Sequence, residues 1–136
     1  MIYLKDAHAL PAWQSPANIR EGVIVPQTTT EDERAEVADA CVLRLDLSLP
    51  TLLDDLASTI DQAYRAWPDR LYLVGVDGRV AYQGGPGPFN FDVEELEDEI
   101  VTYLAGLDGV SEDERKERLN DVRANRAGGV DKAPDC

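Results

Sequence analysis

The dipeptide Asp77-Gly78 constrains the fold of this chain more than any other feature. It lies between two apolar runs rich in β-forming residues, RLYLVGV (70–76) and RVAYQ (79–83). An Asp-Gly pair in that setting favours a tight hairpin turn of the primed type. The sequence therefore predicts two adjacent antiparallel strands in its second half.

Helix signals surround this hairpin. Residues 30–33 (TEDE) form a capping box ahead of apolar residues that recur every three or four positions, which predicts a helix. Residues 92–95 (DVEE) open another helix in the same way. A helix between them is predicted to end at Pro68. Its apolar face would carry Leu56, Ile60, Ala63, Tyr64 and Trp67.

The order of elements predicts the fold class. Residues 2–4 and 47–53 are strand candidates on either side of the first helix, so they are expected to be parallel, although Pro50 favours an edge position or a bend. Residues 9–29 form a long connection. Together with the hairpin, these strands give an α/β fold with a mixed sheet of about four strands and helices on both faces, the back part of a thioredoxin-like fold. We expect residues 1–107 to form this domain and residues 108–136 a loosely docked, charged tail with a helix from Ser111.

Composition excludes several classes of partner. The net charge is −14 over 136 residues, which disfavours nucleic acid and anionic lipid surfaces. No apolar run reaches the length of a membrane span, and no basic segment leads into an apolar one as in a signal peptide. We expect neither a membrane nor a nucleic-acid partner.

The two cysteines are far apart in the sequence. Cys41 falls on a helical apolar stripe and is expected to pack as a small buried side chain, while Cys136 is the last residue. Free thiols without a disulfide framework suit a reducing cytoplasm. With one histidine in the chain, the spacing predicts no metal site, and nothing else in the sequence predicts a cofactor.

Two blocks of sequence resemble one family. IYLKDAHALPAW (2–13) resembles the strand and loop that follow the catalytic motif of iodothyronine deiodinases and their bacterial deiodinase-like relatives. AWPDRLYLVGVDGRVAYQGGPGPFNFDVEELE (66–97) is similar to the hairpin, Gly-Pro turn and last helix of that family. The resemblance covers roughly residues 2–104 and implies a thioredoxin-like redoxin descended from an oxidoreductase.

The resemblance also implies roles for individual residues. Asp6 and His8 match an acid and a histidine beside the catalytic selenocysteine or cysteine, Trp13 matches a tryptophan near the same pocket, and Arg70 matches an arginine just ahead of the hairpin. Lys5 replaces a further acid found in many members. Residues 25–27 have proline near the place of a second histidine in vertebrate deiodinases. The unit that carries the family's nucleophile has no counterpart here, so the domain is expected to be truncated at its N-terminus.

Each of these residues also has a structural interpretation. His8 is either a hydrogen-bonded structural residue or a general acid/base oriented by Asp6, which would share its face if the strand continued. Trp13 either packs or forms the wall of a pocket for an aromatic ligand. Arg70 either binds a carboxylate of a ligand or pairs with a nearby acid.

Three functions therefore remain open. The chain is expected to be a deiodinase-like protein that lacks the usual nucleophile and has no redox activity alone. The alternatives are a small-molecule enzyme that uses His8 and Asp6 for acid/base chemistry, and a non-catalytic acidic module that binds a partner. In the acid/base alternative, the candidate ligand is a small aromatic molecule. Three explanations of the missing unit remain open. The gene starts natively at this point, the start follows a misread selenocysteine codon, or a homodimer or a partner protein supplies the missing strand.

Overall fold

A computed structural model describes residues 1–128 as a mixed α/β protein. Within that range, five helices and four short strands fall into two compact units, residues 1–68 and residues 69–128. The first unit contains β1 (Ile2–Tyr3), α1 (Pro16–Glu21), α2 (Glu31–Arg44), β2 (Leu52–Leu53) and α3 (Thr59–Tyr64). The second contains β3 (Tyr72–Val74), β4 (Val80–Gln83), α4 (Val93–Asp108) and α5 (Glu112–Gly128).

The first unit is built around a parallel strand pair. Ile2 is opposite Leu52 and Tyr3 is opposite Leu53, which confirms the predicted parallel pairing across a helical connection. The strand predicted over residues 47–53 is much shorter than expected, since β2 begins only after Pro50 and Thr51. Proline cannot donate to a ladder, which explains the late start.

The predicted capping box begins α2. Thr30 Oγ1 accepts from the Glu33 amide at 3.2 Å, and the Glu33 carboxylate accepts from the amide of Thr30 at 3.2 Å. Helix α2 buries Arg34 and Ala38 and carries Cys41 as a half-buried residue. Residues 9–29 contain a helix that was not predicted, α1. Its signals are Ser15 as N-cap and Pro16 in the first turn.

The second unit contains the predicted hairpin, but the type of turn was predicted wrongly. Gly75 and Arg79 close a three-residue loop, and Gly78 alone among the loop residues has positive φ, at 77°. This arrangement corresponds to an ordinary turn followed by one left-handed residue, not to a primed turn. Tyr103 of α4 fixes the loop, since its hydroxyl accepts from the Val76 amide at 2.9 Å.

The strands form two separate two-stranded sheets, β1–β2 and β3–β4, where one mixed sheet of about four strands was expected. One pair is parallel and the other antiparallel, as predicted. Strands of two to four residues form few ladder hydrogen bonds, so each pair is stabilised by its own helices and loops.

Residues 93–128 form an antiparallel helical hairpin. Asp92 caps α4 by accepting from the amides of Glu94 and Glu95, both at 2.9 Å, and Gly109 ends the helix with φ of 66°. Ser111 caps α5 at 3.2 Å, which confirms the helix predicted there. Cys136 lies outside the described residues.

Little of the apolar surface is fully covered. The buried apolar residues of the described range are the alanines Ala9, Ala38 and Ala105. Leu52 is 65% exposed in β2, and Leu43 is 81% exposed on α2. None of the helices described here is long and apolar enough to cross a membrane.

Candidate functional site

The loop after β1 carries three of the four residues singled out in the sequence. Backbone contacts hold it: the Leu10 amide donates to the Val25 carbonyl at 2.9 Å, and Leu10 forms a parallel bridge with Pro26. Ala9 is buried at 2% exposure. The loop is therefore anchored against residues 25–26, and its polar side chains project from a fixed backbone.

His8 and Trp13 form the best-defined contact of this loop. Their rings lie edge to face, with centroids 5.1 Å apart and planes at 70°. His8 Nδ1 lies 3.2 Å from the Trp13 carbonyl oxygen. Gln14 closes the turn by donating from Nε2 to the carbonyl oxygens of His8 and, at 3.0 Å, of Ala12.

This contact determines the tautomer of the neutral His8 ring. A carbonyl oxygen only accepts hydrogen bonds, so Nδ1 carries the proton when it bonds to Trp13. Nε2 of the neutral ring is then an acceptor or a base. His8 is half-buried, so the ring is held in place while part of it still faces solvent.

Asp6 has a different partner. Its Oδ1 accepts from the Tyr3 hydroxyl, while its buried Oδ2 has no hydrogen-bond partner within the described chain. The strand ends at Tyr3, so the period-two alternation that would place Asp6 and His8 on one face does not extend to them. The hydrogen bonds of His8 and Asp6 therefore lead to Trp13 and Tyr3, respectively.

Trp13 is 68% exposed, which leaves most of its ring accessible beside His8. A second aromatic contact in the same unit involves Lys5, whose Nζ lies 5.6 Å from the centroid of the Trp67 ring. An ammonium group over an indole face is a favourable cation–π arrangement.

Arg70 belongs to the second unit and has its own polar neighbours. Its Nη1 lies 3.5 Å from the Tyr72 hydroxyl, which also accepts from Gln83 Nε2 at 3.2 Å. Arg70 forms no ion pair with any described residue, and its buried Nε has no hydrogen-bond partner there. Burial raises the pKa of the adjacent Asp69 carboxyl, whose Oδ1 also has no partner in the described range.

Two polar residues of the first unit were not predicted from the sequence. Thr28 is 6% exposed, and its hydroxyl has no hydrogen-bond partner within residues 1–128. Gln14 supports the loop through its amide, as described above. Neither residue belongs to a pattern that distinguishes it from an ordinary loop threonine or glutamine.

Within the described range, no three or more His, Cys, Asp and Glu side chains are grouped as metal ligands.

The sequence matches the family model described as iodothyronine deiodinase over residues 1–103. The chain belongs to the iodothyronine deiodinase family. The match includes the His8 loop and the hairpin after Arg70 and ends within α4.

Several characterised deiodinases are similar over most of the chain. The human thyroxine 5-deiodinase is 32% identical over 110 residues, which cover 80% of this chain and 34% of the relative. The pig thyroxine 5-deiodinase is 34% identical over 113 residues, with 80% and 34% covered. The type I iodothyronine deiodinase of Xenopus laevis is 29% identical over 96 residues, with 71% and 36% covered. The chain thus spans about a third of the length of these relatives.

Proposed function

We propose that this chain is the ligand-binding part of a thioredoxin-like, deiodinase-like oxidoreductase, and that it has no redox activity alone. Family membership supports the class of protein. The main structural support is the bond between His8 Nδ1 and the Trp13 carbonyl, because it leaves Nε2 as an acceptor beside an accessible indole ring. A phenol or a related aromatic molecule would stack on Trp13 and donate to His8 Nε2.

The proposal places the redox nucleophile on polypeptide that this sequence does not contain. In thiol and selenol chemistry the attacking group is the deprotonated thiolate or selenolate. The described thiol, Cys41, is half-buried in the second half of α2. A nucleophile supplied by another polypeptide segment would react with a ligand held by this chain. We place the protein in the cytoplasm, because a reducing compartment suits free thiols.

Arg70, in the second unit, is proposed separately as a residue that binds a carboxylate. The side chain is half-buried, and no described carboxylate neutralises it although the chain carries 27 acidic residues. A guanidinium fork binds carboxylates through paired hydrogen bonds, and Arg70 has unused donors for such a bond. Since the relatives' names specify thyroxine or iodothyronine, we propose an aromatic ligand for the His8–Trp13 contact.

One observation favours a second candidate, a module that binds a partner protein. Parallel sheets are usually covered on both faces, yet Ile2 and Leu52 of the β1–β2 pair are 41% and 65% exposed. A second copy or a partner that supplies a strand would cover this surface and satisfy the open strand edges. The acid/base alternative has less support, because Asp6 bonds to Tyr3 and does not orient His8.

The histidine of this chain makes the proposal directly testable. With a single imidazole in the sequence, its Hε1 proton gives one assignable NMR signal. We expect 3,5-diiodotyrosine to shift that signal and, in a Trp67→Phe variant that leaves Trp13 as the one tryptophan, to quench the fluorescence. Non-iodinated tyrosine is the matched control ligand. His8→Gln should weaken this binding, because it removes the imidazole acceptor of the first unit.

Two results would count against the ligand site. Unchanged His8 and Trp13 signals at saturating 3,5-diiodotyrosine would refute it. A concentration-dependent dimer in sedimentation experiments, together with no ligand response, would favour the partner-binding candidate. A monomer that binds 3,5-diiodotyrosine would favour the proposal that the chain is the ligand-binding part of an oxidoreductase.

A further inference from the structure

Helix α5 has little apolar surface with which to pack. Among its 17 residues, the large apolar side chains are Leu119 and Val122, and both are half-buried. Helices in proteins owe most of their stability to an apolar face packed against a neighbour. The attachment of α5 to α4 therefore depends on something besides apolar contact.

Three arginines of α5 provide that attachment. Arg126 donates to the Glu97 carboxylate at 2.6 and 2.9 Å, and Arg123 donates to Asp98 at 2.8 and 3.0 Å. Near the turn of the helical hairpin, Arg118 donates to Asp108 at 2.7 Å. These pairs are distributed over nearly the whole length of the α4–α5 seam.

Helix α4 is strongly acidic, and these arginines neutralise part of its charge. From Val93 to Leu107 it carries five carboxylates and no basic residue, at positions 94, 95, 97, 98 and 99. Like charges three or four residues apart on a helix repel one another. Hydrogen bonds from Arg123 hold the pKa of Asp98 below its usual range, and the charge of Arg123 and the hydrogen bond and charge of Arg126 add to this effect. The Asp98 carboxylate therefore stays ionised at neutral pH.

The seam between the two helices is not tightly filled. One cleft of about 530 Å³ lies among the acids of α4 and the Arg123 and Arg126 side chains. Another of about 410 Å³ is lined by Val93, Leu96 and Ile100 together with Arg126. Arg126 thus lines a cleft with apolar residues of α4, whereas Arg123 lies beside the acidic cleft.

We propose that α5 is a releasable strap whose docking on α4 is controlled by ionic strength. Exposed ion pairs are individually weak and are screened by salt, so a helix attached mainly through them is released more easily than one attached through an apolar face. Release opens the second cleft and uncovers Leu96 and Ile100. The family match ends at residue 103, so the strap lies outside the matched domain.

Hydrogen exchange of the full chain tests this proposal. Amide exchange over residues 112–128 is compared at about 20 mM and about 500 mM NaCl, which shortens the screening length several-fold. We expect exchange in α5 to rise about tenfold or more at high salt, while the β3–β4 hairpin keeps its protection. Sodium sulfate at equal ionic strength separates screening from effects specific to chloride.

Variants identify the responsible charges. The double variant Arg123→Gln/Arg126→Gln should exchange in α5 at low salt as fast as the unmodified chain does at high salt. Arg79→Gln is the matched control, because Arg79 is an exposed arginine of the same unit without an ion pair to any described residue. Arg123→Lys/Arg126→Lys keeps the charges and should keep most of the protection.

Two outcomes would overturn the strap. Exchange in α5 that does not change with salt in the unmodified chain would show that apolar contact holds the helix. Exchange that rises equally in α5 and the β3–β4 hairpin would show that α5 is part of the cooperative core.

Discussion

The Arg34 guanidinium connects α2 to the segment after β2 through two backbone carbonyls. Its Nη1 donates to the carbonyl oxygen of Asp54 at 3.0 Å and to that of Asp55 at 2.6 Å. Arg34 is 3% exposed; its bond to Asp54 is buried and its bond to Asp55 is part-buried. The helix and the parallel strand pair are thereby joined by one charged side chain.

Removing that side chain should destabilise the first unit. Arg34→Met keeps much of the apolar stem but leaves the buried Asp54 carbonyl and the part-buried Asp55 carbonyl without this donor, so we expect a loss of about 1–3 kcal/mol in the free energy of unfolding. Urea denaturation followed by circular dichroism measures it. Arg65→Met, at an exposed position, is the control. Equal effects of the two substitutions would contradict this account of Arg34.

Asp54 organises the start of α3. Its Oδ1 accepts from the amides of Asp55 and Ile60, at 3.0 and 2.8 Å, and Oδ2 accepts from the Asp61 amide at 3.0 Å. Asp54→Asn turns one acceptor into a donor that faces an amide, so we expect a loss of about 1–3 kcal/mol in the free energy of unfolding. Asp39→Asn, on the exposed face of α2, should change stability little. An Asp54→Asn variant with an unchanged free energy of unfolding would contradict this role of Asp54.

The capping box predicts a dependence of stability on pH. Hydrogen bonds from the amide and hydroxyl of Thr29 lower the pKa of Glu33 below its usual 4.5. Because the folded pKa is the lower one, the stabilisation is present above about pH 4.5 and is lost as the pH falls through the folded pKa. Glu33→Gln should therefore differ in stability from the unmodified chain at pH 7 and converge with it toward pH 3. A difference that is independent of pH would exclude the carboxylate as its source.

Gly87 lies directly against the Asp69 carboxylate. A Cβ at this position would overlap the Asp69 carboxylate, so we expect Gly87→Ala to destabilise the second unit by about 1–3 kcal/mol. Gly106→Ala is the matched control. Nothing lies within 4 Å of a Cβ there, and alanine in α4 should stabilise by up to about 1 kcal/mol. Combining Gly87→Ala with Asp69→Ala should recover part of the loss in thermal unfolding.

The isolated chain should not remove iodine from an iodinated phenol. With dithiothreitol as reductant we expect no iodide release above the buffer control, since the proposed nucleophile comes from elsewhere. Iodide release that persists in the double variant Cys41→Ser/Cys136→Ser would refute the reasoning about the nucleophile. Release abolished by Cys136→Ala alone would instead identify that thiol as the nucleophile.

Local signals predicted much of the fold. The Thr30 box, the Asp92 cap and the Asp-Gly loop each depend on neighbouring residues, and each was found where the sequence predicted it. The predicted turn type was wrong: the loop has three residues, and Tyr103, which is distant in sequence, binds its Val76 amide. The pairing of strands into two sheets likewise depends on contacts between distant residues, which periodicity does not report.

The candidate site was less predictable than the fold. The resemblance directed attention to His8 and Trp13, and the structure brings those two together. The hydrogen bond of Asp6 to Tyr3 was missed, because the alternation of strand faces was extended beyond the last strand residue. The arginines that attach α5 to α4 carry no signal of their partners in a sequence where charged residues are common.

The contact of Tyr103 with the hairpin loop has a consequence for engineering the chain. The Val76 amide meets the tyrosine hydroxyl at 2.9 Å, and a Cβ on Gly75 would lie 2.5 Å from that oxygen. Loop length and helix position are therefore set together. A peptide inserted between Gly75 and Arg79 would have to replace this contact, whereas circular permutation at the exposed Gly22 leaves it intact.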